Sequence, residues 1–306
     1  MASVSAAELG GPAVRRQSLW RYWRGGLQGS EFTWAVAFVV PYIAVFLFMV
    51  VYPAFYGLWM GSNPMLYSEV FSDPIYLNTV VNTLIFLAFG VNVKLFLALM
   101  LSGFFMRPGW WVKVLLMIFV LPWAIPALPT FISIHWMLNG EWGLVNNALY
   151  IMFGIDPGPS WLNSRWLALG SAIASHVWKW TPFWTVILLA GRMSIPQEVY
   201  DAAKVDGATG IRRFLHVTFP LLANLYLVLT LLATIFLLGD FNSVYFVTGG
   251  GPANSTHLLA TLGVVRDMLD LGKPQLGVAA VMTALPLLIP LVIILMRKLR
   301  TAEVQL

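Results

Sequence analysis

The amino-acid sequence predicts an all-α membrane protein with six transmembrane helices and both termini in the cytoplasm. Three observations carry the prediction. Hydrophobic residues make up 59% of the 306 residues and charged ones only 10%. Soluble domains average about 25% charged, so this chain lacks the polar residues to cover a water-facing surface and suits a lipid exterior. Six apolar stretches reach roughly the 20 residues that a helix needs to cross a bilayer core. Lys and Arg gather on one side of those stretches.

The elements follow in order. Residues 1–30 are polar and hold Arg15, Arg16, Arg21 and Arg24. They are expected to form a cytoplasmic tail, with residues 19–23 lying on the membrane surface. The apolar run after them is too long for a signal-peptide core. A single membrane domain is expected over 31–300, and a short cytoplasmic tail over 301–306. Its spans fall at about 34–60, 78–106, 111–138, 166–190, 219–247 and 276–296. The first contains Pro41 and Pro53. The third contains Pro122, Pro126 and Pro129, so its backbone must break, and the freed carbonyls need partners from neighbouring helices or a water-lined cavity.

Charge sets the sidedness. With the N-terminus inside, the cytoplasmic cations include the tail arginines, Arg107 and Lys113, then Arg192, Lys204, Arg212 and Arg213, and finally Arg297, Lys298 and Arg300. Only Arg165, Arg266 and Lys273 fall outside, against thirteen inside. Lys94 and Lys179 fall within spans, where such residues relay charge, snorkel, or pair with an acid. This asymmetry accounts for the net charge of +5 and removes the need for a nucleic-acid partner. The outer segment 139–165 is rich in Gly and Pro, with a short helix expected at 144–152. The outer segment 248–274 opens Thr248-Gly-Gly-Gly-Pro252, which is turn chemistry.

Several chemistries are excluded or disfavoured. Without cysteine there is no disulfide, thiolate metal site or Cys nucleophile. His135, His176, His216 and His257 are scattered, with no H-E-x-x-H, so no metal site is expected. No G-x-x-x-x-G-K-[ST] phosphate cradle occurs. A membrane-embedded transferase wants clustered acids, and these are sparse. A self-sufficient carrier usually shows paired internal repeats, and no matching halves are present.

The cytoplasmic connection 192–220 is the most distinctive segment. Ser194 is expected to cap a helix over 198–205, with Gln197 three residues on. Gly207 is a natural stop. A second short helix over 209–216 should lead to Pro220 at the mouth of span five. Val199, Ala202, Ala203 and Val205 alternate with charges, as in a helix that projects into a partner's groove. Physics alone leaves an ordinary solvated connector equally open.

The spacing Asp201-Ala202-Ala203, Gly207, Val217, Phe219-Pro220 resembles the Glu-Ala-Ala loop of ABC-importer permeases. Asp201 stands for Glu, Val217 for Ile and Phe219 for Leu. A second stretch, Asp240-Phe-Asn-Ser-Val-Tyr-Phe-Val-Thr-Gly-Gly-Gly-Pro252, is similar to the end of span five in carbohydrate-uptake permeases. Trp178-Lys-Trp-Thr-Pro-Phe183 and Gly143-Leu-Val-Asn146 extend the resemblance, which runs over about 36–300. The first permease of maltose, trehalose and glycerol-phosphate systems is the nearest in look.

That resemblance implies one half of a heterodimeric pore, in which a second permease subunit supplies the other half. It implies two ATP-binding subunits on the cytoplasmic side, which carry the ATP and magnesium, and an extracytoplasmic solute-binding protein. No cofactor is expected in this chain. Glu198, Asp201, Ala202, Ala203, Asp206, Gly207, Arg212 and Pro220 would receive the ATPase stroke. Intramembrane polar residues are costly and by default functional. Trp180, Thr181 and Thr185 on span four, with Asp240, Asn242 and Tyr245 on span five, are therefore the candidate solute contacts. Asp240 either pairs with Lys179 or faces a water-filled vestibule. No Arg cluster lies in this pathway, which weighs against a phosphorylated solute.

Overall fold

The computed structural model describes residues 29–303. The predicted N-terminal tail, with its four arginines and surface segment, lies outside the described residues. The chain forms two compact units, divided after Trp59. Every regular element among the described residues is helical.

The first unit is one long apolar rod. Helix α1 (Gly29–Phe46) passes through a wide π turn (Leu47–Val51) into α2 (Tyr52–Met60). Pro41 lies inside α1. Of the residues between 31 and 60, none is buried, although they are strongly apolar. A helix that is hydrophobic all round is a membrane span.

The second unit is a helical bundle. Helices α3 (Pro64–Ser72), α4 (Tyr76–Phe105), α5 (Trp110–Ala124), α6 (Ala127–Met137) and α7 (Leu144–Phe153) come first. Next come α8 (Arg165–Met193), α9 (Gln197–Val205), α10 (Gly210–Arg213), α11 (Phe219–Leu238) and α12 (Asn242–Thr248). After the short α13 (Leu259–Thr261), α14 (Pro274–Met282) and α15 (Leu285–Glu303) close the chain. Four helices are long and apolar enough to cross a membrane, at 31–60, 76–105, 210–238 and 274–298, and the bent pair α5–α6 makes a fifth. Helix α8 is 29 residues long, about 44 Å at 1.5 Å per residue. Its lower hydropathy comes from His176, Lys179, Thr181, Thr185 and Arg192, all of which are buried.

Helix α8 packs along α4 at the centre of the bundle. Lipid tails are as apolar as Leu, so close packing rather than water exclusion drives such association. Small residues permit it: Ala98, Ala168, Ala172 and Ala233 are fully buried. A Cβ at Gly191 would lie 2.3 Å from Leu225 Cδ2, which fixes how closely α8 crosses α11. One end of the bundle is tied by Asn82. Its Nδ2 donates to the carbonyls of Ser255 and His257, and its Oδ1 accepts from Arg165. At the other end Arg192 on α8 donates to Ser102 Oγ and the Leu99 carbonyl on α4.

Several expectations change. The third span does break, and α5 and α6 meet at 93°. Span five does not run through to residue 247. Helix α11 stops at Gly239, and Asp240 Oδ1 accepts from Ser243 N, opening α12 as a new helix. The helix expected at 209–216 is not separate. From Gly210 it continues into α11 through a π turn, Phe214–Thr218, in which Phe219 N bonds the Phe214 carbonyl. That wider register absorbs Pro220. Ser194 does not cap α9. Its Oγ donates to the Gly191 carbonyl, closing α8, while Gln197 reaches Asp201. The segment 248–274 contains a π-helical stretch, Leu262–Asp270, that turn chemistry did not foretell. It packs on α14, where Gly263 and Gly277 meet carbonyl to Cα. Arg266 and Lys273 pair with Asp73 and Glu69 beside α3.

Asp267, in this segment, gives a pH prediction. Its Oδ1 is buried without a hydrogen-bond partner, 3.7 Å from Arg266 Nη1. Burial pushes its carboxyl up from 3.8 to about 6, against the pull of Arg266. Between those values the fold holds a proton that the unfolded chain has lost, so this group's contribution to stability falls as pH rises from about 4 to 6. Asp267→Asn is expected to unfold at higher temperature than wild type at pH 7, with the gap closing below pH 4. Burial lowers His257 to about 4, giving an opposite slope that cancels in the mutant-minus-wild-type difference. An unchanged melting temperature at pH 7 refutes the assignment.

Candidate functional site

The break between α11 and α12 places an acid deep in the bundle. Asp240 follows the helix-ending Gly239, and its side chain is 9% exposed. His176 Nδ1 on α8 lies 2.6 Å from Asp240 Oδ2 and 3.1 Å from Ser243 Oγ. Lys94 Nζ on α4 lies 3.0 Å from His176 Nε2. The partners fix the tautomer: Nδ1–H donates to the carboxylate, and Nε2 accepts from the ammonium. Ser243 Oγ also donates to Asp240. A cation, an imidazole and a carboxylate from three helices thus form one chain. Asp240 does not pair with Lys179. Lys179 instead donates to the carbonyls of Pro122 and Ile125.

Beside this chain lies a cavity of about 290 Å³. Lys94, Asp240 and Asn242 supply its polar wall, and Trp123, Trp180 and Phe183 its aromatic wall. Trp123 and Phe183 stack at 5.6 Å. Polar donors and acceptors next to flat apolar faces match what a sugar presents: hydroxyls and an apolar ring face.

Of the six predicted solute contacts, the structure brings Trp180, Asp240 and Asn242 to this cavity. Thr181 lines a different, largely apolar groove of about 780 Å³ between α4 and α8, among Phe89, Leu97 and Trp178. Its hydroxyl donates to the Val177 carbonyl. Thr185 is fully buried and bonds the Thr181 carbonyl. Tyr245 on α12 packs its ring, tilted, against Phe241 at 4.7 Å, outside the cavity lining. Sequence reasoning did not single out Lys94, His176 and Ser243 as a unit. The available signal was a Lys, a His and an Asp, each inside a span.

The second candidate element is α9. Glu198, Asp201, Ala202, Asp206, Gly207, Arg212 and Pro220 are exposed, whereas Ala203 is buried. Gly207, at φ +73°, ends the helix. Its N–H bonds the Lys204 carbonyl, and Ala208 N bonds the Ala203 carbonyl, the paired closure that a left-handed residue permits. Lys204 Nζ donates to Asp201 Oδ1 at 2.7 Å, and with Gln197 it holds the Asp201 carboxyl below the usual carboxylate range. Arg213 sits 5.7 Å over the Tyr200 ring, tying α9 to the foot of the α10–α11 rod. Val205 and Ile211 stand 88% and 77% exposed, the apolar tips of a projecting arm.

A bundle of long apolar helices, a cavity with aromatic and polar walls beside a buried charge chain and an exposed helical arm together define a multi-pass membrane transport component. The chain belongs to the family of binding-protein-dependent transport system inner membrane components, whose sequence profile matches residues 94–300. It is 38% identical to the trehalose/maltose transport system permease protein MalF of Thermococcus litoralis, over 54% of this chain and 55% of that one. It is 32% identical to the sulfoquinovosyl glycerol transport system permease protein SmoG of Agrobacterium fabrum, over 92% and 95%. The fold matches a chain in the crystal structure of a bacterial alginate ABC transporter in complex with an alginate pentasaccharide-bound periplasmic protein. The TM-score is 0.77 at 20% identity, covering 85% of this chain and 92% of that one.

Proposed function

We propose that this chain is one permease half of an ATP-driven sugar importer. It would carry an oligosaccharide, simple sugar or polyol delivered by an extracytoplasmic binding protein. The observation that carries the reading is the aromatic and polar cavity at the α11–α12 break, beside a buried Lys–His–Asp chain. Relatives named for trehalose, maltose and sulfoquinovosyl glycerol support the solute class. Residues 31–300 act as a six-span domain in which α8 is the fourth span, its polar residues shielded by neighbouring helices. Both termini and α9 face the cytoplasm, as the Lys and Arg asymmetry favours. A second permease subunit completes the pore, and two ATP-binding subunits bind ATP and magnesium and hydrolyse the nucleotide. Glu198, Asp201, Ala202, Ala203, Asp206, Gly207, Arg212 and Pro220 transmit the stroke from α9 into α11, while Trp180, Asp240 and Asn242 meet the solute. Thr181, Thr185 and Tyr245 shape the helices behind them.

The test is ATP hydrolysis by the reconstituted complex with its cognate binding protein, across sugars, polyols, glycerol phosphate and amino acids. A sugar or polyol is expected to stimulate hydrolysis several-fold. Asn242→Ala is expected to cut uptake at least tenfold while the complex still assembles. Stimulation by amino acids alone overturns the solute class.

A further inference from the structure

We infer that Lys179 is a positioning residue, whose ammonium pins the proline break of the third span and thereby sets α6 against the pathway segment α12. This rests on the pathway reading above.

In an unbroken helix the Pro122 carbonyl would accept from residue 126, and the Ile125 carbonyl from residue 129. Both of those residues are prolines and have no N–H. Ile125 and Pro126 are extended, at ψ 140° and 144°, and the chain turns by 93°. Two carbonyls are thereby freed in an apolar slab, where an unsatisfied backbone group is costly. Lys179 Nζ donates to both, at 2.9 Å to Pro122 and 2.7 Å to Ile125. The residue is 1% exposed. No carboxylate lies within ion-pair distance of it among the described residues, and the Trp180 ring lies 5.7 Å from its ammonium. One cation from α8 thus satisfies the two acceptors that two prolines orphan. The link continues downstream. Helix α6 packs on α12, and His135 Nδ1 donates to the Val247 carbonyl at 2.8 Å. Segment α12 carries Asn242, which lines the cavity.

The chain has no cysteine, so a spin-label pair introduced here is unique within this subunit, and cysteines in the partner subunits are replaced by serine. Met117→Cys on α5 and Met137→Cys on α6 replace exposed residues. Their Cα atoms are about 20 Å apart across a right-angle bend and about 30 Å apart in a straight helix. In the full transporter, the native Lys179 is expected to give one narrow distance near the shorter value. Lys179→Met should lengthen and broaden it and lower maximal uptake at least tenfold, with half-saturation by the loaded binding protein unchanged. Lys179→Arg keeps the donors and should restore both; Lys179→Gln, with a shorter donor, should fall between and serves if the methionine variant fails to assemble. A narrow, unshifted distance in Lys179→Met and Lys179→Gln overturns the proposal, whatever happens to uptake. If the wild type transports no sugar or polyol, the solute reading fails, and the distance measurement still decides the pin.

Discussion

Asp240→Asn is expected to lower uptake at least tenfold and to reduce the melting temperature of the purified complex. The carboxylate is the sole acid in the Lys94–His176–Asp240 chain, and Lys94 and His176 are both almost fully buried. Removing one partner of a buried pair leaves the other charge uncompensated, which costs about 3–5 kcal/mol. The amide has one acceptor oxygen where the carboxylate has two, so it turns its NH2 either on His176 Nδ1–H or on Ser243 N–H, and one of these hydrogen bonds is lost. Lys94→Met is expected to do comparable damage from the other end. The double variant Lys94→Met with Asp240→Asn removes both charges, and is expected to melt above the temperature that the two single effects add up to. A coupling energy of about 0.5–3 kcal/mol is the range for groups in one network. Additive losses would mean that the three residues are neighbours without forming a unit, and that Asp240 acts on the solute alone.

That chain also shows where sequence reasoning reached and where it stopped. The helical class, the proline break and the short helix expected at 144–152, found at Leu144–Phe153, follow from composition, from proline's missing donor and from local apolar patterning. Those are properties of nearby residues. The pairing of Asp240 was misjudged because it depends on helix rotation. Lys179 and His176 lie three residues apart on α8, and only the packed bundle decides which of them faces Asp240. The same limit separated Trp180 from Thr181. Adjacent positions on a helix differ by about 100°, so one faces the cavity beside Asp240 and the other the apolar groove. The capping role expected of Ser194 failed for a nearer reason: the end of α8 offered the Gly191 carbonyl to its hydroxyl before α9 began.

The exposed arm gives the second large effect. Val205→Glu is expected to abolish co-purification of the ATP-binding subunits and with it all uptake, while leaving the fold of this subunit intact. The side chain is 88% exposed, and substitutions at such positions usually change stability by no more than about 0.5 kcal/mol. A charge placed at the centre of an apolar contact is instead desolvated by the partner without compensation. Gly207→Val should uncouple by a different route. A Cβ there meets nothing within 4 Å, so sterics do not forbid it. The left-handed backbone at φ +73° does, because a β-branched residue strains that conformation by about 1–2 kcal/mol. The chain relieves the strain by opening the closure at Ala203 and Lys204, and α9 loses its angle to the α10–α11 rod. The two variants therefore separate attachment from transmission. Val205→Glu should lose the ATPase, whereas Gly207→Val should retain part of it and hydrolyse ATP without responding to the loaded binding protein. If both bind the ATPase and transport as wild type does, α9 is a solvated connector and the stroke enters the bundle elsewhere.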